Sequence, residues 1–597
     1  MLKPAHVALA ISLCAAGMGC SAATSGGMAG SSPDARLDAL AESYYQEQQP
    51  LNPVSATGNG DNRYNDRYVV GFDPSIRAQL KAIDERTFSR LGDIPRASLD
   101  LQHRITYDVL RTTLTSSLDG YRFPSQLLPL NQFYNFTAGF AQLGAGTGLH
   151  PFKTVKDYDD FLARISGFNH ATDVAIANMR EGIAAGITTP RVLMERTLPQ
   201  LEAHIVVDPT ASLFYGPIRN MPATFPADDR ARLTAAYTAA IRDQLVPDFR
   251  RLRDFVRDVY IPAARPTAGY GALPDGASWY AQLVRANTTT NLTPDSIHAL
   301  GLSEVARIQG EMLKVKEQVG YKGSLKEFLA YLGSDPRFRY TSREQMLSDF
   351  RAAKARIDPL TDKVFDFRPK ADFEIRAVEP FRERSAAGGS YQSASPDGTR
   401  PGIFYLKTYE PTTQLRFAME DLLLHEGSPG HHFQISVQRE LTGLPSFRRF
   451  RGFTAYSEGW GLYAESLGRE LGVYTDPYQY YGMLAGELWR AIRLVLDTGI
   501  HAKGWTREQA IQYARANSSN SNESIESEVE RFMAIPGQAL AYKMGQLKIT
   551  ELRHRAEREL GPKFDVRKFH RAILENGPLP LDVLDARINA WIAEQKS

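Results

Sequence analysis

Cysteine is almost missing from this 597-residue chain: there are two, Cys14 and Cys20, both within the first twenty positions. No disulfide framework can therefore staple the body, and no all-thiolate zinc site can form in it. An excess of either charge is missing as well. Lys+Arg total 70 and Asp+Glu 68, a formal net charge of +2. That balance holds no basic surplus to predict a nucleic-acid partner. No segment offers 18 continuous apolar residues, so no membrane-spanning helix is expected. There is no fixed-period repeat and no Gly-x-Ser-x-Gly nucleophile elbow. The run Gly144-Ala145-Gly146-Thr147-Gly148 lacks the lysine of a phosphate loop. What is present is ordinary globular composition, 43% hydrophobic and 23% charged, which predicts a packed core rather than disorder.

The first residues have the pattern of an export signal. Lys3 precedes an apolar run from Val7 to Ala16, and small residues follow at Gly17, Gly19, Ser21, Ala22 and Ala23. Two processing routes fit. Cleavage before Cys20 would leave its sulfur for lipidation, whereas cleavage after Ala23 would satisfy the small-x-small rule with Ser21. The expectation is a signal peptide over 1–23, a flexible tether over 24–35, and a location in the periplasm or, as a lipoprotein, on the outer membrane. The membrane enters only through an anchor at Cys20.

The body reads as mainly α. Apolar residues recur at three- and four-residue spacing from Ser75 to Leu91, Lys156 to Ile187, Ser342 to Ile357, Tyr480 to Lys503 and Ile535 to Leu560. Thr293-Pro294-Asp295 supplies a cap, a first-turn proline and an acidic residue for a helix running to about Val319. Ala227 to Val259 has the same period, with Pro247 expected to kink or break it. One region differs. Two short β-prone runs between Ser390 and Thr408 flank Pro396-Asp397-Gly398, a hairpin signal. Its second run, Ile403 to Lys407, contains Tyr405 and has an edge that an extended peptide could pair with. A helical N-terminal part over 36–380 and a catalytic part over 381–597, sharing one core, is the expected division.

The chemistry concentrates after that hairpin, in His425-Glu426-Gly427-Ser428-Pro429-Gly430-His431-His432. Thr413 to Leu424 reads as an amphipathic helix that carries His425 near its end. Zinc hydrolases place two histidines four residues apart on one helix face, with a glutamate directed at the metal's water. Here the fourth position after His425 is Pro429, which cannot ligate. Pro-Gly predicts a locally expanded helix that returns His431 to the face of His425; in an unbroken helix His432 would be closer to in phase, so it stands as the alternative. A third ligand is available in Ser457-Glu458-Gly459-Trp460. Glu458 follows His425 by 458 − 425 = 33 residues, enough for a loop and a returning helix. Glu465, seven residues further on the same face, could orient a histidine. Three ligands leave a position for water, and Glu426 would serve as general base. Downstream, Asp497 and His501 are four apart on one helix face, with Arg490 and Arg493 along a similar stripe; His501 and Tyr542 offer donors for an oxyanion, and Arg531 offers a fork for a substrate carboxylate.

With these residues in view, the chain resembles the bacterial domain of unknown function 885 family. The resemblance rests on the His-Glu-Gly-x-Pro-Gly-His-His run, on Ser-Glu-Gly-Trp and on Pro-Gly-Gln-Ala-Leu-Ala-Tyr-Lys-Met-Gly. It extends from about residue 36 to the C-terminus and implies a gluzincin-like metallopeptidase site. The expected function is an exported, Zn2+-dependent peptidase acting on peptide substrates. A zinc hydrolase of other amides or esters, and a non-catalytic binding lipoprotein with a structural metal, stand as alternatives. The expected fold is a large multi-helix body with a small hairpin or sheet beside the metal-binding helix pair.

Overall fold

Ser32 accepts a hydrogen bond from the Ala35 N–H and so caps α1 (Pro33–Gln48). The computed structural model describes residues 32–597 apart from 134, 380–382, 384–385 and 397–399. Cys14, Cys20, the whole expected signal peptide and the Asp397-Gly398 turn lie outside the described residues. The last three residues of the expected tether, Pro33, Asp34 and Ala35, already belong to α1.

Most helices begin and end where their local signals place them. After α1 come α2 (Pro53–Gly58), α3 (Pro74–Gly92) and α4 (Val155–Ala185). A Thr154/Asp157 capping box starts α4, and Gly186 ends it with φ 70°. Pro247 does not break its segment. Helix continues from Ala227 to Ala263 through two π-helical turns, Ile241–Leu245 and Val256–Tyr260. Each turn lies just before a proline, Pro247 or Pro262, and its widened hydrogen-bond register absorbs the missing N–H. α5 (Gly276–Thr288), α6 (Pro294–Gln318) and α7 (Arg343–Ile357) follow, α6 capped by Thr293 as expected.

A three-stranded sheet comes next: β1 (Phe373–Ala377), β2 (Gly389–Gln392) and β3 (Gly402–Leu406), in the order β1-β3-β2. β2 is antiparallel to β3, as a hairpin requires, and β1 is parallel to it. β3 is thus the central strand, and all five of its residues are buried. The expectation that β3 presents an edge to a peptide is corrected, since both its sides are paired. Among the described residues the free edges belong to β1 and β2. Phe404 and Leu406 face the main core, while Ile403 and Tyr405 cluster with Val378 on the opposite face.

The remaining elements are α8 (Met419–Glu426), α9 (His431–Glu440), α10 (Ser446–Phe450), α11 (Thr454–Ser466) and α12 (Pro477–Ala502). They are followed by α13 (Asn522–Ala534), α14 (Gln538–Leu560) and α15 (Leu581–Lys596). The helix expected from Thr413 instead starts at Met419, after two 3-10 turns. The fold is mainly α, 71% helical, with one small mixed sheet. Its largest core joins Leu37 and Tyr44 of α1, Phe350 of α7, Leu424 of α8, Trp460 of α11 and Trp591 of α15. Residues from both sides of position 380 therefore pack in one core. α11 and α14 cross where Gly459 meets Gly545: a Cβ on Gly545 would lie 1.8 Å from the Ala455 carbonyl oxygen. Only glycine admits that approach.

Candidate metal centre

α8 carries His425 and Glu426 in its last turn, both buried. The helix then stops at Gly427 and α9 restarts at His431. The expected expanded helix is therefore a break between two helices. Gly430 permits the chain to turn this tightly, because a Cβ there would lie 2.0 Å from the His425 carbonyl oxygen. The Trp460 indole N–H donates to the Pro429 carbonyl at 2.8 Å and fastens the turn to α11. On α11, Gly461 lets the His425 ring lie against the helix, since a Cβ would come within 2.7 Å of its Cε1. Glu458 stands nearly one turn earlier on the same helix.

These elements bring three side chains to one point. His431 Nε2 is 3.3 Å and His425 Nε2 3.6 Å from Glu458 Oε2. All three ligand atoms lie within 4.8 Å of one another. Tetrahedral zinc with bonds of about 2.0–2.1 Å separates its ligand atoms by about 3.3 Å, so the donor set and spacing fit such an ion. The other grouping of this kind among the described residues, Asp34, Asp100 and His103, is more exposed, and Asp100 is occupied in capping its helix.

The surroundings orient these three side chains. Glu465 accepts a hydrogen bond from His425 Nδ1 at 2.7 Å. A carboxylate can only accept, so Nδ1 carries the proton and Nε2 is left to face Glu458 and His431. Burial pushes the His425 pKa down, but hydrogen bonds to Glu458 and Glu465 outweigh it and raise the value to about 10. Burial pushes Glu458 up, and its two histidine partners override this to hold it well below the usual carboxylate range. Behind them Asp421, one turn before His425, is raised well above its ordinary value by burial and by the charge of Glu465. Arg490 reaches Glu465 at 3.4 Å. Glu426 keeps Oε2 buried and without a hydrogen-bond partner, as His431 does Nδ1. The Cγ of Glu426 lies 3.1 Å from where a Cβ on Gly389 of β2 would stand.

The remaining predicted residues divide. His432 points elsewhere: its Nδ1 bonds the Tyr391 hydroxyl at 3.0 Å, and burial lowers its pKa to about 4. The grouped pair is therefore His425 with His431. The Tyr542 ring stacks 6.4 Å from that of His425. Arg493 covers the Tyr542 ring at 4.6 Å, and Arg531 donates to its hydroxyl at 3.3 Å. Arg531 is also paired with Glu528 at 3.2 Å, which occupies much of its fork. His501 is not gathered here. Its Nδ1 accepts from the Tyr270 N–H at 3.0 Å and its Nε2 donates to the Phe532 carbonyl at 3.0 Å. Both nitrogens are consumed by backbone, so His501 has no donor left for an oxyanion. Nor does it pair with Asp497, which instead accepts from the Tyr280 hydroxyl and the Gly537 N–H. Tyr405 lies on the sheet face opposite the one that Phe404 packs into the core. Asp421 and Tyr391 escaped the sequence reading. The signal for Asp421 was its place four residues before His425 on one helix.

The chain belongs to the family described as bacterial protein of unknown function (DUF885), which matches residues 53–588. It is similar to a crystal structure described as a "putative lipoprotein" from Colwellia psychrerythraea. The two are 28% identical, the match covers 94% of this chain and 100% of that one, and the TM-score is 0.89. A "putative lipoprotein of unknown function" from Shewanella oneidensis shares the fold at 18% identity, with 92% and 99% of the two chains covered and a TM-score of 0.70. No curated protein matches the chain. Among the described residues no helix is long and apolar enough to cross a membrane.

Proposed function

We propose that this DUF885 member is an exported zinc-dependent hydrolase of the gluzincin kind, acting on peptide bonds and held to a membrane through Cys20. The observation that carries the reading is the convergence of His425, His431 and Glu458 beside a buried Glu426 whose Oε2 has no partner. A structural metal site has no use for such a carboxylate. A zinc ion held by these three residues would supply Lewis acidity and lower the pKa of water to near neutral.

The chain's own groups account for the remaining steps. Glu426 Oε2 takes the proton from the attacking water and passes it to the leaving amine nitrogen. The Tyr542 hydroxyl, held by Arg531 and Gln538, donates to the oxyanion that develops on the substrate carbonyl. Glu465 and Arg490 keep the His425 ring in place through the reaction. Zinc content and hydrolysis of a peptide library, compared between wild type and Glu426→Gln, test this. Bound zinc retained with hydrolysis lost supports the assignment. Equal hydrolysis in the two proteins removes Glu426 from its role, and bound zinc without hydrolysis in either leaves the binding-lipoprotein alternative.

A further inference from the structure

β2 leaves the metal centre and enters a separate cavity of about 490 Å3. Tyr391 and Ser393, Asn59 beyond α2, Phe450 of α10 and Arg439 of α9 are among the residues that line it. Arg439 differs from the other arginines near the site. Arg490 has Glu465, and Arg493 and Arg531 share Glu528. Arg439 donates to neutral acceptors, the Ala394 carbonyl and Asn59 Oδ1, each at 3.3 Å, and among the described residues no carboxylate pairs with it. Its charged neighbours include Arg400 and Arg449, of its own sign, and burial pushes its pKa down. A guanidinium lining a cavity, with no carboxylate beside it among the described residues, offers charge and donors to an anion.

Two lengths relate this charge to the metal centre. Along β2, Gly389 packs against Glu426 and Ser393 lies four residues on, about 13 Å at strand rise. Along α9, His431 and Arg439 are eight residues apart, about 12 Å at helix rise. The free edge of β2 spans the interval, and an extended peptide pairing there advances about 3.3 Å per residue. We propose that the cavity receives the C-terminal carboxylate of a short peptide, roughly four residues beyond the bond that is cut, and that Arg439 is its specificity residue. This rests on the peptide-hydrolase reading and names its substrate class: short peptides with a free C-terminus.

The test is calorimetric binding to zinc-loaded Glu426→Gln protein, which needs no turnover. The probes are penta-alanine, its C-terminal amide, and the amide carrying one internal glutamate. The free acid is expected to bind roughly 10- to 100-fold more tightly than the amide, the range of a hydrogen-bonded charge pair. Arg439→Met should abolish that difference while binding the amide as before, which also shows that the variant is folded; Arg439→Lys should retain part of it. Unchanged discrimination in Arg439→Met overturns the proposal, as does absence of binding by any probe. Equal binding of the internal-glutamate amide and the free acid overturns the assignment to the chain end. Arg439-dependent discrimination in a protein that hydrolyses no peptide would sustain the subsite and remove the hydrolase reading alone.

Discussion

His425 and His501 are both buried, 3% and 0% exposed, yet their surroundings drive them in opposite directions. His425 sits among carboxylates and is raised to about 10, whereas His501 is lowered to about 3 by burial, against a hydrogen bond to the Phe532 carbonyl. Every ring nitrogen of His501 is used, and the same holds for His570 between the Tyr463 hydroxyl and the Val364 carbonyl. Around His425 the hydrogen bonding stays incomplete at Glu426, His431, Glu465 and Asp421, each with a buried atom lacking a partner. Buried polar groups are normally satisfied. The contrast is between a histidine locked into the backbone through both ring nitrogens and one set in a cluster of carboxylates and imidazoles that is left partly unpaired.

The sharpest way to break this contrast is to remove one ligand from the partly unpaired cluster. His431→Ala or Glu458→Ala should lose bound zinc, measured as metal per protein by mass spectrometry, while His432→Ala should keep it. A smaller effect is expected one layer behind the ligands. Glu465→Gln keeps a hydrogen-bond acceptor for His425 but not the charge, and zinc affinity by competition with a chelator should fall about 10- to 100-fold. At the locked histidine, His501→Phe should leave zinc content unchanged. It strands the Tyr270 N–H and the Phe532 carbonyl, a loss of about 1–3 kcal/mol for each buried group, read from the urea midpoint. The last effect is on acid sensitivity. His501 and His570, both lowered to about 3, stay neutral when folded but take a proton near pH 6.5 when unfolded. Their stabilisation is complete above pH 6.5 and is lost as pH falls from there toward 3. His501→Phe should therefore flatten the decline in stability between pH 7 and pH 4 by one proton's share.

Local signals carried much of the fold. Thr293-Pro294 started α6 where expected, and the grouping of His425, His431 and Glu458 was legible from residue types in two short runs, although α9 and α10 stand between α8 and α11 where a single loop was expected. The misreadings came from partners distant in sequence. β1 lies outside the hairpin stretch, so nothing near Ile403 disclosed that β3 would be central. Asp497 and His501 share a helix face, but tertiary packing gave each a different partner. Pro247 looked like a break because the compensating π turn has no residue signature of its own. The choice of His431 over His432 depended on a chain reversal that requires Gly430, Pro429 and the indole of Trp460 together, and only the first two are near each other in sequence.

The core that holds α1 and α15 together has a consequence in time. Leu37 and Trp591 belong to one buried cluster with Trp460, the residue that fastens the metal-centre turn. That cluster closes only when residues as far apart in sequence as Leu37, Trp460 and Trp591 have met, so the turn that carries His425 and His431 is fastened by late, long-range contacts and not by local ones.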